Sequence, residues 1–221
     1  MSGNIQGSIA SFQDTPTVIN FTTNSVLSST SITINTPADA RKDDVLVVFI
    51  TASTTSSAFS ASGWLRAYGS GSLTSGYARQ TCLAATIPAV IAPSYTFTTD
   101  VATNITAVMV LVRDPLNSVV AFVSPWSVTS STTHSTPTFT TTYGGLMLCG
   151  YGFNLSSSSG MTASVPSGMA EVAYNVGSGT DVYRATFVCS QLITFGSVAA
   201  RVSTTSESVQ SAIGGILLYP E

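Results

Sequence analysis

Residues able to carry acid–base or nucleophilic chemistry are few in this chain, and they stand apart. The one histidine, His134, lies in the run Ser130-Ser131-Thr132-Thr133-His134-Ser135-Thr136-Pro137, with no acidic residue within ten positions. A general base needs a group that orients its ring and sets its pKa, so His134 reads as a loop histidine in solvent and not as a base. Serine is abundant, yet there is no Gly-x-Ser-x-Gly elbow, and only His134 or Lys42 is available to activate a serine oxygen. The adjacent carboxylates are Asp43-Asp44, just before the apolar run Val45–Ile50. Neighbours in a strand point to opposite faces, which is the wrong geometry for sharing a proton or flanking a glycosidic bond. Arg41, Lys42, Asp43 and Asp44 are therefore read as a solvated turn, and a calcium site there lacks the spacing of loop oxygens that such sites use.

Cys82, Cys149 and Cys189 sit far apart inside apolar runs. That placement fits small buried hydrophobes better than a disulfide framework or a metal site, and it implies synthesis in a reducing cytoplasm. Gly69-Ser70-Gly71-Ser72 and Gly177-Ser178-Gly179 lack the following helix and lysine of a phosphate cradle and read as hairpin tips. Asn20, Asn104 and Asn154 open glycosylation sequons that have no meaning without a secretory route. No catalytic, metal or cofactor residue is assigned, and the chain reads as non-enzymatic. For binding, Trp64, Trp126, Tyr68, Tyr77 and Tyr143 are the aromatic candidates, since such rings stack on sugars or anchor interfaces. Trp64 follows Gly63 at a strand start and reads as core; Trp126 and Tyr143 are the surface candidates.

The elements that must hold these residues are strands. Ser and Thr make up about 30 % of the 221 residues, while charged residues are 8 % and hydrophobic ones 44 %. So many apolar residues argue against disorder, and threonine, being β-branched, suits the wet face of a pleated sheet. No window keeps a helical period, whereas short apolar or alternating runs recur between clusters of Ser, Thr, Gly, Pro and Asn. Val45–Ile50 and Ala107–Val112 are nearly continuous apolar runs and should be covered on both faces; Ser31–Asn35 and Tyr95–Thr99 alternate and should have one wet face. A net charge of −3 with one lysine leaves no basic stripe for nucleic acid. Neither a membrane span nor a signal peptide is read.

The strands come twice. An offset of 105 sets Ser62-Gly63-Trp64 against Ser167-Gly168-Met169, Arg79-Gln80-Thr81 against Arg184-Ala185-Thr186, and Val112–Pro115 against Leu217–Pro220. Val45–Val48 against Leu146–Cys149 departs from it by four residues. The joint Leu116–Thr136, with Val119, Val120, Phe122, Val123 and Trp126, is too apolar for a free linker and reads as a strand followed by a Ser/Thr loop. The expectation is an all-β fold, an antiparallel β-sandwich or jelly-roll-like domain over residues 1–221, with pseudo-repeats at about 31–115 and 136–220.

Pro37-Ala38-Asp39-Ala40-Arg41-Lys42-Asp43-Asp44-Val45-Leu46-Val47-Val48, then Ser62-Gly63-Trp64, Tyr77–Ala85, Tyr95-Thr96-Phe97-Thr98 and the run into Arg113-Asp114 together resemble a β-sandwich module of tailed-bacteriophage virion proteins. In that module a Gly-Asp turn feeds an apolar strand; here Lys42-Asp43-Asp44 replaces it. The resemblance implies a virion protein, a capsid decoration (cement) protein or a tail-fibre or tail-tip receptor- or glycan-binding module. Its partners would be the major capsid protein and further copies of itself, as a trimer or other small oligomer, with neither nucleic acid nor membrane. No functional residues carry over from it.

Overall fold

The computed structural model describes residues 15–52, 58–71, 78–113, 118–123, 127–155, 160–177 and 183–219. Every regular element among them is a strand, and every pairing between strands is antiparallel. The first half supplies β1 (Thr17–Asn35), β2 (Val45–Ala52), β3 (Leu65–Gly71), β4 (Arg79–Thr86) and β5 (Ser94–Arg113), ordered β1-β5-β2-β4-β3 in one sheet. The second half supplies β6 (Ser118–Val123), β7 (Ser127–Ser135), β8 (Phe139–Thr141), β9 (Gly145–Leu155), β10 (Ala170–Val176), β11 (Tyr183–Ile193), β12 (Gly196–Val198) and β13 (Val202–Tyr219). Its sheet runs β10-β11-β9-β13-β6, with β7 also on β13, while β8 and β12 form a separate ribbon. Each large sheet thus comes from one contiguous half of the chain.

The two sheets share one plan. Reading β6 and β7 as a broken β1, the second order repeats the first strand for strand. A bulge interrupts β3 on β4 between Arg66 and Tyr68, and another interrupts β10 on β11 between Glu171 and Ala173. Gly63 and Gly168, in the turns that open β3 and β10, have the same φ of 80°. The register nevertheless corrects the uniform offset. Val45 pairs with Thr86 and Val112, and its counterpart Leu146 pairs with Leu192 and Leu218, one residue further along β11 and β13 than an offset of 105 allows. Arg79 therefore corresponds to Ala185 and Gln80 to Thr186. A one-residue slip turns every side chain to the other face, and short Ser/Thr-rich matches carry too little information to detect it.

Three apolar clusters explain the continuous apolar strands. Val45, Val47 and Phe49 of β2 meet Leu146, Leu148, Val188 and Ile216 between the sheets. Leu46, Val48 and Ile50 point the other way, onto Ile32, Ile34 and Phe97. Met147, Cys149 and Tyr151 do the same in the second half, onto Val198, Val209 and Met161. Both faces of β2 are buried along its whole length, as are those of β5 from Ile105 to Val112, as the sequence predicts. The outer layers exist because the long strands bend. At Ser28, whose φ is 47°, β1 turns back over its own sheet, with the Ser28 N–H donating to Asn104 Oδ1 at 3.0 Å. Thr22 Oγ1 and Asn24 Nδ2 then donate to the carbonyls of Asn35 and Thr33, each at 2.6 Å. Ser31–Asn35, expected as an alternating strand, is thus the last stretch of β1.

Between the halves the contact is close and partly polar. A Cβ at Gly150 would lie 2.3 Å from the Phe49 ring, and one at Gly152 would lie 2.7 Å from Thr51 Oγ1, so both positions need glycine for the sheets to approach. Thr186 Oγ1 lies 2.8 Å from both Thr51 Oγ1 and Thr106 Oγ1. With its amide oriented to satisfy every neighbour, Gln80 donates from Nε2 to Tyr68 Oη at 2.6 Å and to the Gly150 carbonyl at 3.0 Å, and accepts from the Gly152 N–H at 3.1 Å. These buried hydroxyls and amides are paired, as burial requires.

Candidate functional site

Phe49 touches Gly150 and Thr51 touches Gly152, so β2 and β9 run side by side in the same direction. The strand starts Val45 and Leu146, and the strand ends Thr86, Arg113, Leu192 and Tyr219, consequently gather at one end of the sandwich. Half of the exposed large hydrophobics lie on the turns and strand ends of that end: Leu65, Val90, Ile91, Tyr143, Leu192 and Phe195. A groove of about 550 Å³ opens there between the halves, bounded by Pro16 and Val18 on one side and by Leu146, Met169, Gln191 and Leu192 on the other. A second groove of about 330 Å³ lies beyond the Leu192–Phe195 turn, against Arg201.

Each half closes this end in its own way. Asp44, expected in solvent, is buried; its Oδ1 accepts from Arg113 Nε at 3.1 Å, and its Oδ2 accepts from Arg113 Nη2 at 3.0 Å and from the Arg41 N–H at 2.9 Å. Arg113 Nη2 also donates to the Asp39 carbonyl at 2.8 Å. Asp43 takes φ 70° so that the turn can be made. Lys42 and Asp43 remain exposed, as predicted. In the second half Gly145 occupies the place of Asp44. A Cβ there would meet the Leu218 carbonyl oxygen at 2.2 Å. Tyr219 occupies the place of Arg113, and its ring stacks on Tyr143 with centroids 4.3 Å apart and planes 6° from parallel.

The remaining candidates fall elsewhere. His134 is not in a loop: the Ser/Thr stretch expected as one is strand β7, and the ring is buried against Phe153, with Nδ1 2.9 Å from Ser211 Oγ and Nε2 3.0 Å from Thr205 Oγ1. Thr205 gives its own hydrogen to the Glu207 carbonyl at 2.8 Å, so its oxygen accepts from Nε2–H, and Nδ1 accepts from Ser211. Burial lowers this imidazole to a pKa of about 4. Both ring nitrogens serve the core, and no carboxylate orients the ring. Cys82, Cys149 and Cys189 are free and buried, and burial raises Cys149 to about 12 and the other two thiols as well, which makes them poor nucleophiles. Arg184 is buried and donates to Asn154 Oδ1 and to its neighbour's carbonyl, and burial lowers its pKa to about 9. Trp64 packs edge-on against Tyr95 and Phe97, as a core residue should. Gly69 and Gly71, expected in a tip, belong to β3. Trp126 and Tyr77 lie outside the described residues.

Of the two surface candidates, Tyr143 stands at the apolar end, half exposed. Sequence reasoning passed over Leu192, Phe195, Val90 and Ile91. The available signal was the presence of large apolar residues in segments that otherwise read as turns. Among the described residues no group of three or more His, Cys, Asp or Glu side chains is placed to hold a metal ion, and no helix is long and apolar enough to cross a membrane. Comparison with protein-family models, curated proteins and solved structures found no match.

Proposed function

We propose that this chain is a non-catalytic virion structural protein of a tailed bacteriophage, a capsid decoration protein that stiffens the head shell by holding the major capsid protein and further copies of itself. The observation that carries the reading is the collection of exposed apolar side chains from both halves at one end of a sandwich whose lone histidine and Asp44–Arg113 pair are taken up by internal contacts. An apolar patch rimmed by polar residues is the mark of a protein interaction site. Few charges leave little repulsion between neighbouring copies, which suits dense packing on a lattice, and many weak contacts on one shell add up. The resemblance noted in the sequence supplies the identity of that lattice.

Shells assembled without the protein should rupture at a lower temperature than decorated ones, and adding it back should restore them. Val90→Asp, on an 83 % exposed side chain, should weaken that restoration without changing the fold. Shells indifferent to the protein would overturn the reading. A tail adhesin is the second reading, favoured by the flat Tyr143–Tyr219 stack, a surface of the kind that sugar rings pack on. Binding of the isolated chain to host glycans, lost in Tyr143→Ala, would select it.

A further inference from the structure

We propose that Cys149 and Cys189 are the two ends of an intramolecular disulfide that closes when the chain meets an oxidising medium and staples β9 to β11, two inner strands of the second sheet. They are 40 positions apart in sequence, yet the register of the two strands places them directly opposite one another. Directly opposite residues of an antiparallel pair have Cα atoms about 4.5 to 5.5 Å apart, inside the range of about 4.4 to 6.8 Å that disulfides span. Both side chains enter the same outer apolar cluster, so they leave the sheet on one face. Cys82 has no such neighbour. It stands opposite Phe49 and Tyr68 and packs between the sheets.

The structure holds both residues as thiols, and burial makes the bond slow to form. Both are fully shielded from water, and burial raises both thiols, Cys149 to about 12, so the attacking thiolate is scarce while the cover is closed. Part of that cover is slight. Phe139 of β8 and Val198 of β12 pack on the cluster from a ribbon of three register pairs, and a two-stranded ribbon is marginal by itself. Local opening of such an element exposes what lies beneath it without unfolding the sheets. An oxidant of the low-molecular-weight disulfide class, such as oxidised glutathione, then reacts in two steps. One cysteine thiolate attacks a sulfur of the oxidant and expels a glutathione thiolate; the opposite cysteine thiolate attacks the protein sulfur of that mixed disulfide and expels the second. The protein gains one S–S bond as the oxidant loses one, two electrons pass to the oxidant, and both thiol protons end on the two glutathione molecules. The cross-link requires no capsid or other partner, so it stands or falls apart from the function proposed above.

The test treats the full chain, purified in reductant, with oxidised glutathione, then blocks the remaining thiols with iodoacetamide under denaturing conditions and maps the peptides by mass spectrometry. One cross-link should join the peptides of Cys149 and Cys189, with Cys82 alkylated. Closing a loop of this length should raise the thermal midpoint by roughly 5 to 15 °C, and dithiothreitol should reverse the rise. Cys82→Ala should keep both the cross-link and the shift. Cys189→Ala should lose both, with the same midpoint before and after the oxidant. Three alkylated thiols after oxidation carried out a few degrees below the midpoint, where the cover opens, would overturn the proposal. So would glutathione left on Cys149 or Cys189 without the cross-link, a bond made by Cys82, or a cross-link that lowers the midpoint.

Discussion

At the end of the sandwich where β2 and β9 begin, the same chain path is closed by two different chemistries. In the first half a carboxylate and a guanidinium meet in a forked ion pair, largely shielded from water, that also ties down the Asp39 and Arg41 backbone. In the second half glycine replaces the carboxylate, the backbone closes up against Leu218, and two tyrosines stack outside. The outer cores differ in the same way. Ile32 pairs with Phe97 in β5, and the corresponding place opposite Ser203 in β13 is taken by His134. One half is therefore locked by charge around an apolar core. The other is closed by packing around a core that holds a neutral imidazole, and it leaves its apolar closure facing outward. A shared strand plan thus fixes where the closing residues stand, while their chemistry decides whether that end is sealed or offers a surface.

The largest effect should come from breaking the charged closure. Asp44→Ala removes the carboxylate that faces the Arg113 guanidinium in a mostly buried setting, and the expected loss is about 3 kcal/mol, read as a lower midpoint in denaturant. A loss below ~1 kcal/mol would mean that the first half does not depend on its ion pair and that the contrast is cosmetic.

Acid sharpens the difference between the outer cores. His134 titrates near 4 when folded and near 6.5 when free, so the unfolded chain binds the extra proton between those values. The stabilising contribution of the neutral ring is fully present above pH 6.5 and is lost as the pH falls towards 4, amounting to about 3 kcal/mol. Denaturation measured at stepped pH should show that slope in the wild type, and His134→Gln should flatten it. An identical slope in the variant would assign the acid sensitivity elsewhere.

The smallest effect is expected at the stack. Tyr143→Ala removes a half-exposed ring pair and should lower stability by about 1 kcal/mol or less. A drop as large as that of Asp44→Ala would show the stack to be a structural lock after all.

How much of this was legible in the sequence depended on which physical signal a residue carries. Val45–Ile50 announced a strand covered on both faces because every side chain is apolar, and that is how β2 sits. The paired order of elements survived too, because Gly63 and Gly168 and the apolar runs recur in sequence. Register did not survive, since hydroxyl-rich strands match almost equally well one residue out of step. Asp44 and His134 were misread for a common reason: a polar residue beside other polar residues looks solvated until its partner is known, and Arg113 and Ser211 are 69 and 77 positions away. The apolar end was illegible because it is assembled from turns belonging to both halves, and no local window contains it.

That each sheet is a contiguous stretch of chain has a consequence during synthesis. A ribosome delivers residues 17–113 complete, with β1 already beside β5, before any strand of the second sheet exists. The nascent half then holds Val45, Val47, Phe49, Val108, Val110 and Val112 on a face that finds its cover only when the later residues emerge. At a translation rate of about 5–20 residues per second, the hundred or so residues still to come leave that face bare for roughly 5 to 20 seconds. Slowing elongation past residue 113 should lengthen the interval and raise the fraction of chains captured by holdase chaperones, whereas hastening it should lower that fraction.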